Sequence, residues 1–174
     1  GYLPLRRFAK SEIVPSNKDR FLRKETLQGF VHDEASAFFG GLAGNAGLFS
    51  TARDVARVYQ MLLNGGEIDG QRYLSKETCQ LFTTETSKIS RRGLGFDKPD
   101  ADDPKKGNCA PAAPAGVYGH TGFTGTCAWV DPVNELVYVF LSNRIYPDVT
   151  NRKLNQLHIR ERIQGAIYDA MKKK

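Results

Sequence analysis

The chain has 174 residues, 40% hydrophobic and 25% charged, with 25 lysines and arginines against 19 aspartates and glutamates for a net charge of +6. This suits one globular domain able to bury roughly 70% of the surface its unfolded form would expose, and no apolar run approaches the roughly 20 residues of a membrane-spanning helix. No basic-apolar-small leader opens the chain, so a secretory signal is expected to be absent or to have been removed with upstream sequence.

In chain order, the first thirty residues hold Pro4, Pro15 and scattered charges without periodicity, which predicts an extended segment running over a surface. Basic residues gather there at Arg6, Arg7, Lys10, Lys18, Arg20, Arg23 and Lys24, and again at Lys172, Lys173 and Lys174. No helix-turn-helix, zinc-finger or RNP pattern accompanies them, so they read as a solvated face and no nucleic-acid partner is expected. Gly40, Gly41, Gly44 and Gly47 punctuate a small-residue loop leading to Ser50 and Thr51. Thr51 and Asp54 have the spacing of a capping box, and Val55, Val58, Tyr59, Leu62 and Leu63 recur at helical spacing up to Asn64-Gly65-Gly66, where glycine closes the predicted helix. A shorter helix is predicted from Ser75, after the turn-like Asp69-Gly70 and the pair Tyr73-Leu74, carrying Leu81 and Phe82 inward.

Residues 98–114 are rich in Pro, Asp, Lys, Gly and Ala, which predicts a long surface loop. Beyond it, Val117–Thr121, Thr126–Val130 and Leu136–Leu141 are short runs rich in β-branched and aromatic residues, the last two joined by the turn composition Asp131-Pro132-Val133-Asn134-Glu135. They predict an antiparallel meander. A final helix is predicted from about Arg152 to Met171, with Ile159, Ile163, Ala166 and Ala170 forming the stripe laid across the sheet. Helices, then strands, then a covering helix argue an α+β fold, divided into a helical and loop part at 1–115 and the strands with their C-terminal helix at 116–174. Cys79, Cys109 and Cys127 are odd in number and sit at no metal-ligand spacing, so buried free thiols are expected rather than a disulfide framework or a zinc site.

Two segments carry chemistry. His120-Thr121-Gly122 ends the first strand of the meander and brings together a titratable head, a hydroxyl and a small residue that lets substrate approach the backbone. The N–H of Phe123 is then placed to meet a developing oxyanion, while His120 and Thr121 hold a carboxylate or relay a proton. Leu141-Ser142-Asn143-Arg144-Ile145-Tyr146-Pro147 follows the third strand, where the amide of Asn143 and the guanidinium fork of Arg144 can recognise a carboxylate. His32-Asp33 is a further pair, read as structural because adjacent side chains point apart and no third partner is evident.

Together these segments resemble the serine β-lactamase and penicillin-binding-protein family, in its class C, carboxylesterase-like branch. His120-Thr121-Gly122 stands where that family has Lys-Thr-Gly or His-Thr-Gly, Leu141–Pro147 is similar to its Leu-x-Asn-Lys segment ending in Tyr-Pro, and Ala46–Arg57 is similar to its Gly-Gly-Leu-Tyr-Ser-Thr-Ala-x-Asp-Leu-Ala-Arg segment. The run from Val31 to Gly47 resembles β-lactamase-like domains attached to family 3 glycoside hydrolases, with Asn45 standing where those often carry histidine. The resemblance covers about residues 25 to 170. It implies part of a β-lactamase/transpeptidase-like fold and acyl-enzyme hydrolysis of a β-lactam, cell-wall peptide or ester. His120, Thr121 and the Phe123 N–H would be catalytic, Gly122, Asn143 and Arg144 would bind substrate, no metal or organic cofactor would be needed, and the location would be periplasmic or exported.

The family's Ser-x-x-Lys and Tyr-x-Asn elements are missing: none of Ser11, Ser16, Ser36, Ser50, Ser75, Ser87, Ser90 and Ser142 has lysine three positions on, and no Tyr or Ser is followed two positions later by Asn. The expectation is a C-terminal fragment of a longer enzyme, inactive alone, whose strand Leu136–Leu141 exposes an edge for the missing N-terminal part or for a second copy. The competing reading is a non-catalytic cell-wall-binding module attached to a glycoside hydrolase.

Overall fold

The computed structural model describes residues 1–84, 87–104 and 106–172; Lys173 and Lys174 of the C-terminal basic group lie outside the described residues. The centre of the molecule is the expected meander, β5 (Tyr118–Thr121), β6 (Cys127–Asp131) and β7 (Leu136–Phe140), antiparallel in the order β5-β6-β7. Residues paired across neighbouring strands share a face of the sheet. The register therefore puts Gly119, Trp129 and Tyr138 on one face with Cys127 and Phe140, and Tyr118, Val130 and Val137 on the other with Ala128 and Val139. His120 falls on the Tyr118 face and Thr121 on the Trp129 face. Among the described residues no strand pairs with the outer edge of β7.

Helices cover both faces. The predicted helix α2 (Ala52–Leu63) is capped by Thr51, whose hydroxyl accepts from the Asp54 N–H at 3.1 Å, and it ends at Gly65 and Gly66, both left-handed. It lies against β6 and β7, and Tyr59 meets Phe96 edge-on, which in turn meets Tyr118. Val58 of the predicted stripe is 54% exposed, since the inward, half-buried side of the helix runs through Val55, Tyr59 and Leu62. On the opposite face Trp129, Tyr138, Val117, Cys109 and Cys127 form the core, with Ile167 packed against it.

The C-terminal helix departs from expectation twice. It is broken into α4 (Lys153–Gln156) and α5 (Ile159–Met171) by His158, which is left-handed at φ 48°. Its buried residues are Arg160, Gln164 and Tyr168, while Ile163 is 38% exposed and Ala166 and Ala170 are also outside. The stripe is polar because each of its members has a hydrogen-bond partner: Arg160 donates to the carbonyl of the half-buried Thr126, Gln164 accepts from the buried Ala110 N–H at 2.8 Å, and the Tyr168 hydroxyl donates to the buried Asp131 Oδ2 at 2.8 Å. Apolar periodicity cannot reveal such a face. Asp131 also accepts from Val133 N–H and Asn134 N–H, so one carboxylate closes the hairpin turn and docks the helix.

The N-terminal part holds more than helices. A hairpin of β1 (Pro15–Lys18) and β2 (Thr26–Gln28) stands in the segment expected to be merely extended, and buries Leu27. Asp19 caps its loop by accepting from Phe21 and Leu22 N–H, and the Arg23 guanidinium holds the Asp19 carboxyl well below the usual range. A short helix α1 (Glu34–Phe38) starts at Asp33, and β3 (Glu67–Ile68) pairs with β4 (Gln71–Arg72) around the left-handed Asp69 and Gly70. In α3 (Lys76–Thr83) the residue turned inward is Cys79, with Thr83 one turn on bonding the Cys79 carbonyl; Leu81 and Phe82 lie on the flanks, 53% and 44% exposed. The loop after Lys98 runs over the surface but docks at its middle, where Cys109 and Ala110 are buried. All three cysteines are buried free thiols.

Gly119 is the tightest point of the sheet: a Cβ there would stand 2.2 Å from the Ala128 carbonyl oxygen and 2.7 Å from Trp129 Cε3. Neither backbone nor a packed indole can give way. Gly119→Ala is expected to lower unfolding free energy by about 2–3 kcal/mol, in the range for overpacked cores, whereas Gly116→Ala, whose Cβ meets only Val133 at 4.0 Å, should change it by less than about 0.5 kcal/mol. Urea titrations of the two variants against the parent measure the difference.

Candidate functional site

The site forms where β5 runs out. In an antiparallel strand alternate residues turn their N–H and C=O to opposite edges. Gly119 bonds outward to Asp97 in both directions, at 2.7 and 3.0 Å, and Gly122 N–H bonds inward to the Thr126 carbonyl at 2.8 Å. Thr121, the last residue of β5, therefore presents its N–H to the outer edge; Phe123 follows in the turn closed by the bond from Gly125 N–H to the Gly122 carbonyl, and no acceptor for its N–H is found among the described residues. Gly122 leaves room for the Thr126 side chain at this bend, since a Cβ would lie 2.2 Å from Thr126 Oγ1.

The two segments singled out in the sequence come together here. Arg144 N–H donates to the Thr124 carbonyl at 2.8 Å and Ser142 Oγ to the Gly125 carbonyl at 2.8 Å, so the chain after β7 is laid along the turn after β5. The Arg144 guanidinium carbon stands 4.5 Å from the centre of the Phe123 ring, and His32 stacks on the same ring at 5.4 Å with planes 5° apart. Arg23 fixes that histidine by donating to the Val31 and His32 carbonyls at 3.0 and 2.6 Å. Burial pushes His32 below its ordinary value, helped by Arg23 and Arg144 and opposed by Asp33 and Glu34. Its neighbour Asp33 caps α1 through the Ser36 N–H and takes a contact from Asn45.

Thr121, Gly122, Phe123 and Arg144 line one open cleft with Lys106 and Arg160. Arg144 makes no ion pair among the described residues; burial, then Arg160 and Arg152, push its guanidinium down from its ordinary value. Three cations against the one carboxylate of Glu161 leave the lining net positive, which suits an anion. Asn143 is used differently: its amide donates to the Pro15 and Ser16 carbonyls and accepts from the Ile145 N–H, tying the loop to β1. His120 lies off the cleft, on the other face of β5. Its Nδ1 bonds the Thr121 carbonyl and its Nε2 meets Arg92 Nη1, each at 2.7 Å.

Sequence reading passed over the residues behind this edge. Asp97 is 1% exposed and accepts from Arg91 through both oxygens, from Asn108 and from the Lys98 N–H, while Arg92 stands 3.9 Å away. Burial alone would raise its pKa, but the hydrogen bonds of Arg91 and Asn108 hold it below the ordinary value. The thiols nearby stay protonated: burial pushes Cys109 up to about 12 and Cys127 up to about 11.

This sheet with helices on both faces, ending in His-Thr-Gly beside an Asn-Arg loop, is that of a β-lactamase-like domain. Residues 7–161 match the family described as Beta-lactamase, and the chain belongs to it. It is 34% identical over 161 residues to a protein of Escherichia coli (strain K12) provisionally named a D-alanyl-D-alanine carboxypeptidase, covering 89% of this chain and 37% of that one. Proteins of Salmonella agona (strain SL483) and Salmonella typhi with the same name are 38% identical over 141 residues, 77% of this chain and 31% of each. The chain thus spans about a third of the length of the curated relatives it matches.

Removing the Asp97 charge should loosen the whole edge. Asp97→Ala is expected to cost about 3–5 kcal/mol, the range for breaking a buried ion pair. A carboxyl held below its unfolded value stabilises the fold above that value, near 3.8, and loses its effect as pH falls through the lower, folded one. The stability gap between parent and Asp97→Asn should therefore be full at pH 7 and shrink below about pH 4; denaturant melts across that range check it.

Proposed function

We propose that this chain forms the substrate-holding wall of a serine acyl hydrolase whose nucleophile lies on sequence outside it, and that the intact enzyme works through an acyl-enzyme on an amide or ester with a nearby carboxylate. The observation that carries this reading is the open end of β5, where unpaired N–H groups at Thr121 and Phe123 adjoin the cation Arg144 in one cleft. The Phe123 N–H would donate to the oxyanion, with Gly122 keeping the approach clear. Thr121 and Arg144 would hold the substrate carboxylate, and Asn143 would position Arg144 through its bonds to β1. His120 would act from behind the edge. The name shared by the relatives favours a cell-wall peptide among amide substrates, which would place the enzyme outside the cytoplasm. The unpaired edge of β7 would be covered by the rest of the parent protein or, in the chain alone, by a second copy.

The test is covalent labelling of the full-length protein by a fluorescent penicillin. A labelled band, lost when the serine of its Ser-x-x-Lys is replaced, is the expected result, and Arg144→Ala should slow labelling about 10- to 100-fold, the worth of one or two charge-assisted hydrogen bonds. A folded, unlabelled full-length protein that also leaves peptide and ester substrates intact overturns the reading; retention on cell wall would then favour a binding module of a glycoside hydrolase. Sedimentation of the chain alone should show concentration-dependent association, and a strict monomer would contradict the open β7 edge.

A further inference from the structure

The group at the first position of the His-Thr-Gly motif is not a free imidazole. A guanidinium has only donors, so in the 2.7 Å contact between Arg92 Nη1 and His120 Nε2 the ring nitrogen must be the acceptor. The ring proton then sits on Nδ1, where it donates to the Thr121 carbonyl at 2.7 Å. Both nitrogens are occupied. In this arrangement His120 offers incoming substrate neither a proton nor a charge at Nε2, and acts as a bridge between the strand and Arg92.

Arg92 itself is well placed. It stands just before a loop whose Gly93 N–H bonds the Phe96 carbonyl, and that loop is anchored to β5 because Asp97, one residue on, pairs with Gly119. The Asp97 oxygens are taken by Arg91, Asn108 and the Lys98 N–H, leaving Arg92 Nη2 at 3.9 Å, beyond hydrogen-bonding range. Its side chain is 47% exposed. Most of its five N–H donors are left for an incoming anion. Cations thus stand on both faces of β5 at its open end, Arg144 over Phe123 on the cleft side and Arg92 beside His120 on the other.

We infer that Arg92, carried on His120, is a specificity residue that selects substrates with an anionic group in the acyl part, on the side of the scissile carbonyl away from Arg144. This rests on the acyl-hydrolase reading above, in which the Phe123 N–H marks the scissile carbonyl.

Two measurements on the full-length protein test it separately from that reading. The first compares kcat/KM for p-nitrophenyl 4-carboxybenzoate and p-nitrophenyl benzoate, which share a leaving group and differ only in the acyl carboxylate. The parent should prefer the charged ester; Arg92→Gln should reduce that preference about 10-fold, as loss of one charge-assisted hydrogen bond does, and Arg92→Lys should retain most of it. Hydrolysis of both esters with a preference that Arg92→Gln leaves unmoved overturns the inference and spares the hydrolase reading; hydrolysis of neither, with no penicillin labelling, overturns both. The second is ¹⁵N NMR of the labelled histidines, assigned with His120→Asn. A His120 ring protonated on Nδ1, with an Nε2 resonance that shifts in Arg92→Gln, supports the bridge whatever the activity, and a proton on Nε2 overturns it.

Discussion

Asp97 lives under two opposed demands. Its carboxylate is taken out of water, which favours the neutral acid, and it is ringed by donors from Arg91, Asn108 and the Lys98 N–H, which favour the anion; the donors win. The same residue pairs through its backbone with Gly119, so the charge and the edge of β5 are held by one unit. Gly119 is also where Trp129 lies closest against β5. Clamped at that position, the strand has a closed edge up to Gly119 and an open one from Thr121 onward. The whole candidate site is built on that change, because only an edge left unpaired in a rigid strand has N–H groups to lend.

Charge around the open edge is mostly positive, with Glu161 set among the cations. Arg144, Arg160 and Lys106 face the cleft, and Arg144 is pushed down by its burial and by other cations rather than relieved by a carboxylate. The buried thiols nearby offer no nucleophile, since burial holds Cys109 and Cys127 protonated. A surface of this sort stabilises negative charge without generating it. That division of labour is the one expected of a wall facing a nucleophile carried elsewhere.

Much of this was readable in the residues. The meander, the capped helix at Thr51 and the two turns that close them have local signals, in β-branched runs, cap spacing and glycine, and they stand where those signals put them. What was unreadable depended on partners far along the chain. The buried side of α5 is polar because Gln164 and Tyr168 answer to Ala110 and Asp131, so its apolar stripe lies on another side. The β1–β2 hairpin is short and capped by a side chain, Asp19, that composition treats as solvent-facing. At the site, Thr121, Gly122, Phe123 and Arg144 were legible as motif residues, while Arg92 and Asp97 were not, since loops of scattered charge carry no sign of which strand they will meet.

The tie between Asn143 and β1 reaches back 128 residues to Pro15 and 127 to Ser16. Contacts so distant in sequence repay their loop-closure entropy late, after the local hairpins and helices have formed. His32 reaches the Phe123 ring from the same N-terminal region, across most of the chain. The rim of the cleft is therefore the part of the molecule expected to assemble last and open first. Amide exchange at Arg144 and Ile145, whose N–H groups bond the Thr124 carbonyl and Asn143 Oδ1, would then report sub-global opening while the β6 amides still reported the global transition, so substrate occupancy and the folding of this rim would be linked equilibria.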